Sequence, residues 1–172
     1  MACELLNGIV GVCAYSSSGV EKLWLANKAD ITGTTVYDMC GEITGLTWAH
    51  GTAVVYEIEA ALDSITFTDD LVVNGSRRNF LQTINFGLGS IDCTILKTLE
   101  DIGLSNLVAF IKTADGSYRA FGIKGSGLRA TVMTSTSGTA TGNDGSIAVT
   151  LSGSSLGKAS FVDATFAPTF LN

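Results

Sequence analysis

Apolar and polar residues alternate along much of the chain with a period of two. In Tyr56-Glu57-Ile58-Glu59-Ala60-Ala61-Leu62-Asp63 the even positions are apolar, and Glu57, Glu59 and Asp63 share the other face. Alternation of this kind marks a strand buried on one side. In Ile65-Thr66-Phe67-Thr68 the apolar residues move to odd positions. The phase therefore slips by one residue across Asp63-Ser64, which predicts a bulge or kink there. Phe80, Ile84 and Phe86 lie on one face of a further strand, and Asn74-Gly75 between the two runs accepts the positive φ angles of a tight turn. Residues 53–87 thus read as one long hairpin.

The same pattern places strands at Ile9–Tyr15, Leu23–Asn27, Ile43–Ala49, Leu107–Thr113, Tyr118–Ile123, Leu128–Thr134, Ile147–Leu151 and Phe161–Phe166. Ala114-Asp115-Gly116-Ser117 is a second tight turn, and residues 137–145 form a polar loop. One segment breaks the period. Ile91, Ile95, Leu99 and Ile102 stand at helical spacing, with Ser90 or Asp92 to cap the start and Gly103 the end. This predicts a single helix over 91–102. The fold class is mainly β, a sandwich or barrel of about ten strands with one packed α-helix and a long hairpin extension. No linker or tandem repeat divides residues 1–172, so they read as a single domain, with 1–42 as an N-terminal arm or further strands.

Charge sharpens this picture. Only 15% of the 172 residues are charged, well below the roughly 25% of an average soluble domain, and mean hydropathy is +0.36. Such a chain covers much of its surface with other copies or partners. Its acidic pI near 4.6 argues against a basic nucleic-acid-binding domain. The net charge of −6 lies wholly in the first half. Residues 1–86 hold 4 basic and 10 acidic side chains, and residues 87–172 hold 6 of each. No Lys or Arg precedes the first apolar stretch, and that stretch is broken by Asn7 and by glycines. It fits neither a signal peptide nor a membrane span. Cys3, Cys13, Cys40 and Cys93 match no zinc spacing and read as reduced thiols packed as small hydrophobes.

Catalytic chemistry finds little support. The one histidine, His50, has no recognisable nucleophile or orienting acid, and reads as a loop or strand-end residue. Glu57, Glu59 and Asp63 could in principle work as an acid/base pair, but three alternating acids are more simply a solvated face. Asp69-Asp70 alone make a poor metal site. Gly153-Ser154-Ser155-Leu156-Gly157-Lys158-Ala159 is one residue short of a phosphate loop and lacks its Ser/Thr. Gly125-Ser126-Gly127 opens a β stretch where a dinucleotide site needs a helix. Asn74-Gly75-Ser76 reads as a turn although it fits a glycosylation sequon, and Arg77-Arg78 are too small a patch for general nucleic-acid binding. Trp24 and Trp48 read as core or interface residues. The expectation is a protein that is not an enzyme and takes no cofactor or metal.

The order of elements is informative where motifs are not. An acidic-faced hairpin (53–87) precedes one helix (91–102), then the strand–turn–strand Leu107–Gly122. The closing stretch is Thr141-Gly142-Asn143-Asp144-Gly145, leading into Val149-Thr150-Leu151-Ser152-Gly153. Over residues 43–166 this resembles bacteriophage tail tube proteins and the related inner tubes of contractile injection machines. The resemblance implies hexameric rings that stack into a hollow tube, whose β-barrel lumen passes DNA without specific binding. It implies a virion protein made in the host bacterial cytoplasm, partnered by itself and by other tail or neck proteins at the tube ends, with no membrane. The long hairpin would pair with neighbours, making Asn74, Gly75, Arg77 and Arg78 tip contacts. Glu57, Glu59 and Asp63 would line a lumen whose negative charge repels phosphates.

Two other readings fit the composition. A head-decoration or neck-ring protein would share fold class and oligomeric tendency. A small-ligand-binding β-barrel would be a monomer with an apolar internal cavity.

Overall fold

The computed structural model describes residues 19–32, 35–60, 64–89, 93–136 and 146–171. The expected strand Ile9–Tyr15 and the polar loop 137–145 lie outside these residues. Two sheets face each other as a sandwich, and neither closes into a barrel. In chain order the strands are β1 (Val20–Asn27), β2 (Val36–Tyr37), β3 (Ile43–Gly45), β4 (Tyr56–Ile58), β5 (Thr66–Asn74) and β6 (Arg77–Leu88). The helix α1 (Cys93–Leu104) comes next. Then follow β7 (Leu107–Thr113), β8 (Tyr118–Phe121), β9 (Arg129–Thr136), β10 (Ser146–Ser155) and β11 (Ser160–Val162). One sheet has seven strands in the order β2-β3-β11-β8-β7-β1-β4, the other four in the order β5-β6-β10-β9.

The seven-stranded sheet is covered on both faces at its centre, along β1 and β7. Leu23, Leu25, Ala109, Ile111 and Phe121 point toward the four-stranded sheet and meet Ile84, Phe86, Ile147, Val149 and Leu151. Trp24, Ala26, Val108 and Phe110 point the other way, onto Ile43, Val162, Phe170 and Leu171. Two-sided burial is why Leu107-Val108-Ala109-Phe110-Ile111 reads as a continuous apolar run where other strands alternate. Phe86, Phe110 and Phe121 are almost wholly buried, each such side chain being worth about 1.5–3 kcal/mol. Between the sheets these side chains pack against one another as a common core.

Residues 61–63, on which the expected bulge or kink falls, lie outside the described residues; the strands before and after them, β4 and β5, belong to different sheets. β4 pairs antiparallel with β1, Leu23 opposite Ile58 and Trp24 opposite Glu57, and so belongs to the seven-stranded sheet. The Ala60 N–H then donates to the Ile58 carbonyl at 3.0 Å, a three-residue turn that ends the strand. The hairpin is therefore Thr66–Leu88, shorter than the expected 53–87. Its turn is as read: Asn74 pairs with Arg77, and Gly75 has φ +62°.

The helix begins at Cys93 and runs through Gly103 to Leu104, two residues past the expected end. Gly103 serves as a packing residue: a Cβ there would sit 3.8 Å from the Met133 methyl, so the helix lies close over β9. Leu99 and Ile102 enter the core. The expected strand Phe161–Phe166 stops at Val162, because the Asp163 carboxylate accepts from the Thr165 N–H at 2.7 Å and the Phe166 N–H at 3.1 Å and turns the chain. These bonds, with one from the Thr165 hydroxyl, hold the Asp163 carboxyl below its ordinary range. Ile43–Ala49 keeps only Ile43–Gly45 as strand, and Val36–Tyr37 is a strand the pattern did not predict. Trp48 leaves the sheet and packs on Phe170, with ring centroids 5.8 Å apart.

Candidate assembly surface

The two sheets treat their edges differently. The edges of the seven-stranded sheet are β2 and β4, of two and three residues. The edges of the four-stranded sheet are β5 and β9, of nine and eight residues. Among the described residues no strand pairs with the outer edge of either. Proteins usually blunt such edges by brevity, Pro or inward charge. β9 (Arg-Ala-Thr-Val-Met-Thr-Ser-Thr) carries neither Pro nor Lys.

The two edges are also offset along the strand direction. β5 lies opposite Arg77–Asn85 of β6, while β9 reaches the level of Thr83–Leu88 through β10. All three pairings are antiparallel, so β5 and β9 run in opposite directions. A sheet sheared in this way matches what strands tilted around a barrel need.

One face of this sheet is packed and the other bare. By the alternation of β6, Gln82, Ile84 and Phe86 face the core, and Thr83 and Asn85 face out. Following the registers across, the bare face includes Thr66, Thr68, Thr83, Asn85, Thr150 and Ser152. These residues bond to one another: the Thr150 hydroxyl donates to Asn85 Oδ1 at 2.7 Å, and Asn85 Nδ2 donates to the Thr66 hydroxyl at 3.3 Å. Its charges are Asp70, Arg77 at the hairpin tip, and Arg129. Arg129 Nε is tied to Asn106 Oδ1 at 2.6 Å.

Of the acidic residues singled out in the sequence, Glu57 and Glu59 do not lie on this surface. Glu57 sits opposite Trp24, on the seven-stranded sheet, and pairs with Lys22 at 2.8 Å. Glu59 is exposed just past the end of β4, and Asp63 lies outside the described residues. The hairpin-tip residues Asn74, Gly75, Arg77 and Arg78 are brought together and are all exposed. Beside them Leu71, Val72 and Val73 are 53%, 41% and 59% exposed. His50 is exposed in a turn. Cys40 is an exposed free thiol, contrary to the expectation of packed cysteines, because it sits in the turn that Asp38 holds by accepting from the Cys40 and Glu42 N–H groups at 2.9 and 2.7 Å.

Both glycine motifs serve packing. The segment 122–128 carries the chain from β8 in one sheet to β9 in the other. A Cβ on Gly125 would stand 2.4 Å from the Ser154 carbonyl, and one on Gly153 would stand 2.4 Å from the Gly127 carbonyl. Gln82, 1% exposed, fixes this corner: its Oε1 accepts from the Gly122 N–H at 2.8 Å. Lys28 Nζ donates to the Ile123 carbonyl at 2.8 Å, and burial pushes its pKa down. Gln82 was legible as the polar member of the inward set Phe80, Ile84 and Phe86, since a buried amide needs partners. In the 114–117 turn, Asp115 accepts from the Thr113 hydroxyl at 2.5 Å and from the Ser117 N–H at 3.0 Å. Those bonds lower its carboxyl to about 2.

No protein-family model, curated protein or solved structure matches this chain.

Proposed function

We propose that this chain is a structural subunit of a phage tail, self-assembling into hexameric rings that stack as a tail tube for DNA passage. The observation that carries the reading is the sheared four-stranded sheet with two long uncovered edges and one bare face. β5 of one copy can add antiparallel to β9 of the next, and repetition of that head-to-tail contact closes a ring. Closure removes every edge of this sheet. The seven-stranded sheet lies on the packed face only. The bulkier body belongs on the larger outer circumference, so the bare face turns inward.

The lumen that follows differs from the one expected from the sequence. Glu57 stands on the outer body, and the lining is mainly hydroxyl and amide groups, with Asp70, Arg77 and Arg129 as its charges. Arg129 is tied to Asn106, so each copy offers phosphates one untethered cation, at the hairpin tip, and DNA is not held along the wall. The six-fold count and the virion setting rest on the resemblance over residues 43–166.

Electron microscopy of the purified chain tests this. Stacked six-fold rings with the 66–88 hairpin at the inner wall are the expected result. Isolated rings or capsid decoration would place the protein at the head or neck instead. A chain that stays monomeric in light scattering at high concentration, even with tube-initiating tail-tip proteins added, overturns the reading.

A further inference from the structure

A groove of about 560 Å³ runs between α1 and β9, bordered by Leu96, Glu100, Leu104 and Met133. Leu104 is 90% exposed, although it ends a helix whose Leu99 and Ile102 are buried. At the opposite edge of the same sheet stand Leu71 and Val73, both exposed. They are in phase with Phe67, which packs into the core, so they point to the packed side of the sheet, the side on which α1 lies. Arg78 is the cross-strand partner of Val73 and shares that side. Two unpaired apolar patches thus occupy the two edges of one sheet, on one face. They differ in charge: basic at the hairpin tip, with Arg78 on this side, and acidic on α1, with Glu100 and Asp101. Among the described residues none of these three charges is in an ion pair.

We infer that the groove between α1 and β9 takes the hairpin of the next copy, with Leu71 and Val73 against Leu104 and Met133, and Arg78 beside Glu100. The inference rests on the ring proposed above and names its seam. The offset of the edges supports it. Pairing β5 of one copy with β9 of the next slides that hairpin down, so its upper half arrives at the start of β9. The helix end is there already: Asn106, just beyond α1, is bonded to Arg129, and Gly103 lies against Met133. The contact continues the sandwich core from one subunit to the next, and the Arg–Glu pair sets the direction of addition.

Two measurements on the full chain test it. The first places benzoylphenylalanine at position 71 in a mixture of isotopically light and heavy chains, irradiated after assembly. Light–heavy cross-links from position 71 to residues 96–104 or 133–135 are expected. Cross-links within one chain, or to residues 1–18, would mean that something else fills the groove, and would overturn the inference while leaving the ring standing. Absence of any assembly would overturn both. The second is a charge exchange. Arg78→Glu and Glu100→Arg should each cut the polymerised fraction roughly tenfold or more, as loss of a main interface contact does, with thermal unfolding of the monomer unchanged. The double variant should recover most of it. Failure of the double variant to recover, or full assembly of both single variants, counts against the seam.

Discussion

The two sheets of this protein solve the same problem in opposite ways. The seven-stranded sheet buries both faces at its centre, along β7 and the second half of β1, and ends in strands of two and three residues, too short to recruit another chain. The four-stranded sheet leaves a face bare and ends in strands of nine and eight residues. Among the described residues, the second has hydrogen-bonding groups left over along two long edges. Low charge and positive hydropathy alone say that surface must be covered. The comparison points to the two edges of the smaller sheet, where Leu71, Val72 and Val73 are exposed on β5 and Val132 and Met133 on β9.

If the larger sheet is the stability element, its core should be the costliest place to cut. Phe121→Ala should destabilise the monomer by about 3–5 kcal/mol in urea unfolding, whereas Thr83→Ala on the bare face should stay within about 0.5 kcal/mol. Equal losses at the two sites would erase the distinction. The corner that joins the sheets should come next. Gly125→Ala drives a methyl into the Ser154 carbonyl and should cost about 1–3 kcal/mol or more, read as a lower urea midpoint.

A smaller effect belongs to the turn between β7 and β8. The folded pKa of Asp115 lies below its ordinary 3.8, at about 2, so its contribution is complete above the higher value and is lost as pH falls through the lower one. Asp115→Asn should therefore flatten the fall of the melting temperature between pH about 4 and about 2, and leave it parallel to the parent above that range. The smallest effect is expected at the short edge of the larger sheet. Tyr56→Lys on β4 should change stability by less than about 0.5 kcal/mol and leave assembly intact. Loss of assembly there would make the larger sheet part of the contact and break the contrast.

Local patterns were read correctly where neighbours in sequence settle them. Leu107–Thr113 is the strand its apolar run predicts, Asn74-Gly75 makes the turn its φ preference predicts, and Ile95, Leu99 and Ile102 mark the helix. The failures share a cause. Glu57 and Glu59 have the alternation of a hairpin strand, but period two fixes only which residues share a face, not which sheet the face belongs to. The slip at 63–64 was visible, yet the placing of β4 and β5 in different sheets depends on β1 offering a free edge to Ile58. The close approaches at Gly125 and Gly153 join residues far apart in the chain, so the motifs could be rejected as phosphate loops without showing what they were for.

By itself, then, the sequence determined a β-rich chain with one helix, one hairpin turn and too little charge for its area, because propensity and periodicity are local properties. Only the tertiary structure decided how the strands divide between two sheets, that Glu57 belongs to the larger one, and that the two long edges of the smaller one are offset. Those depend on which strands find each other across long separations, and alternation alone carries no record of that choice.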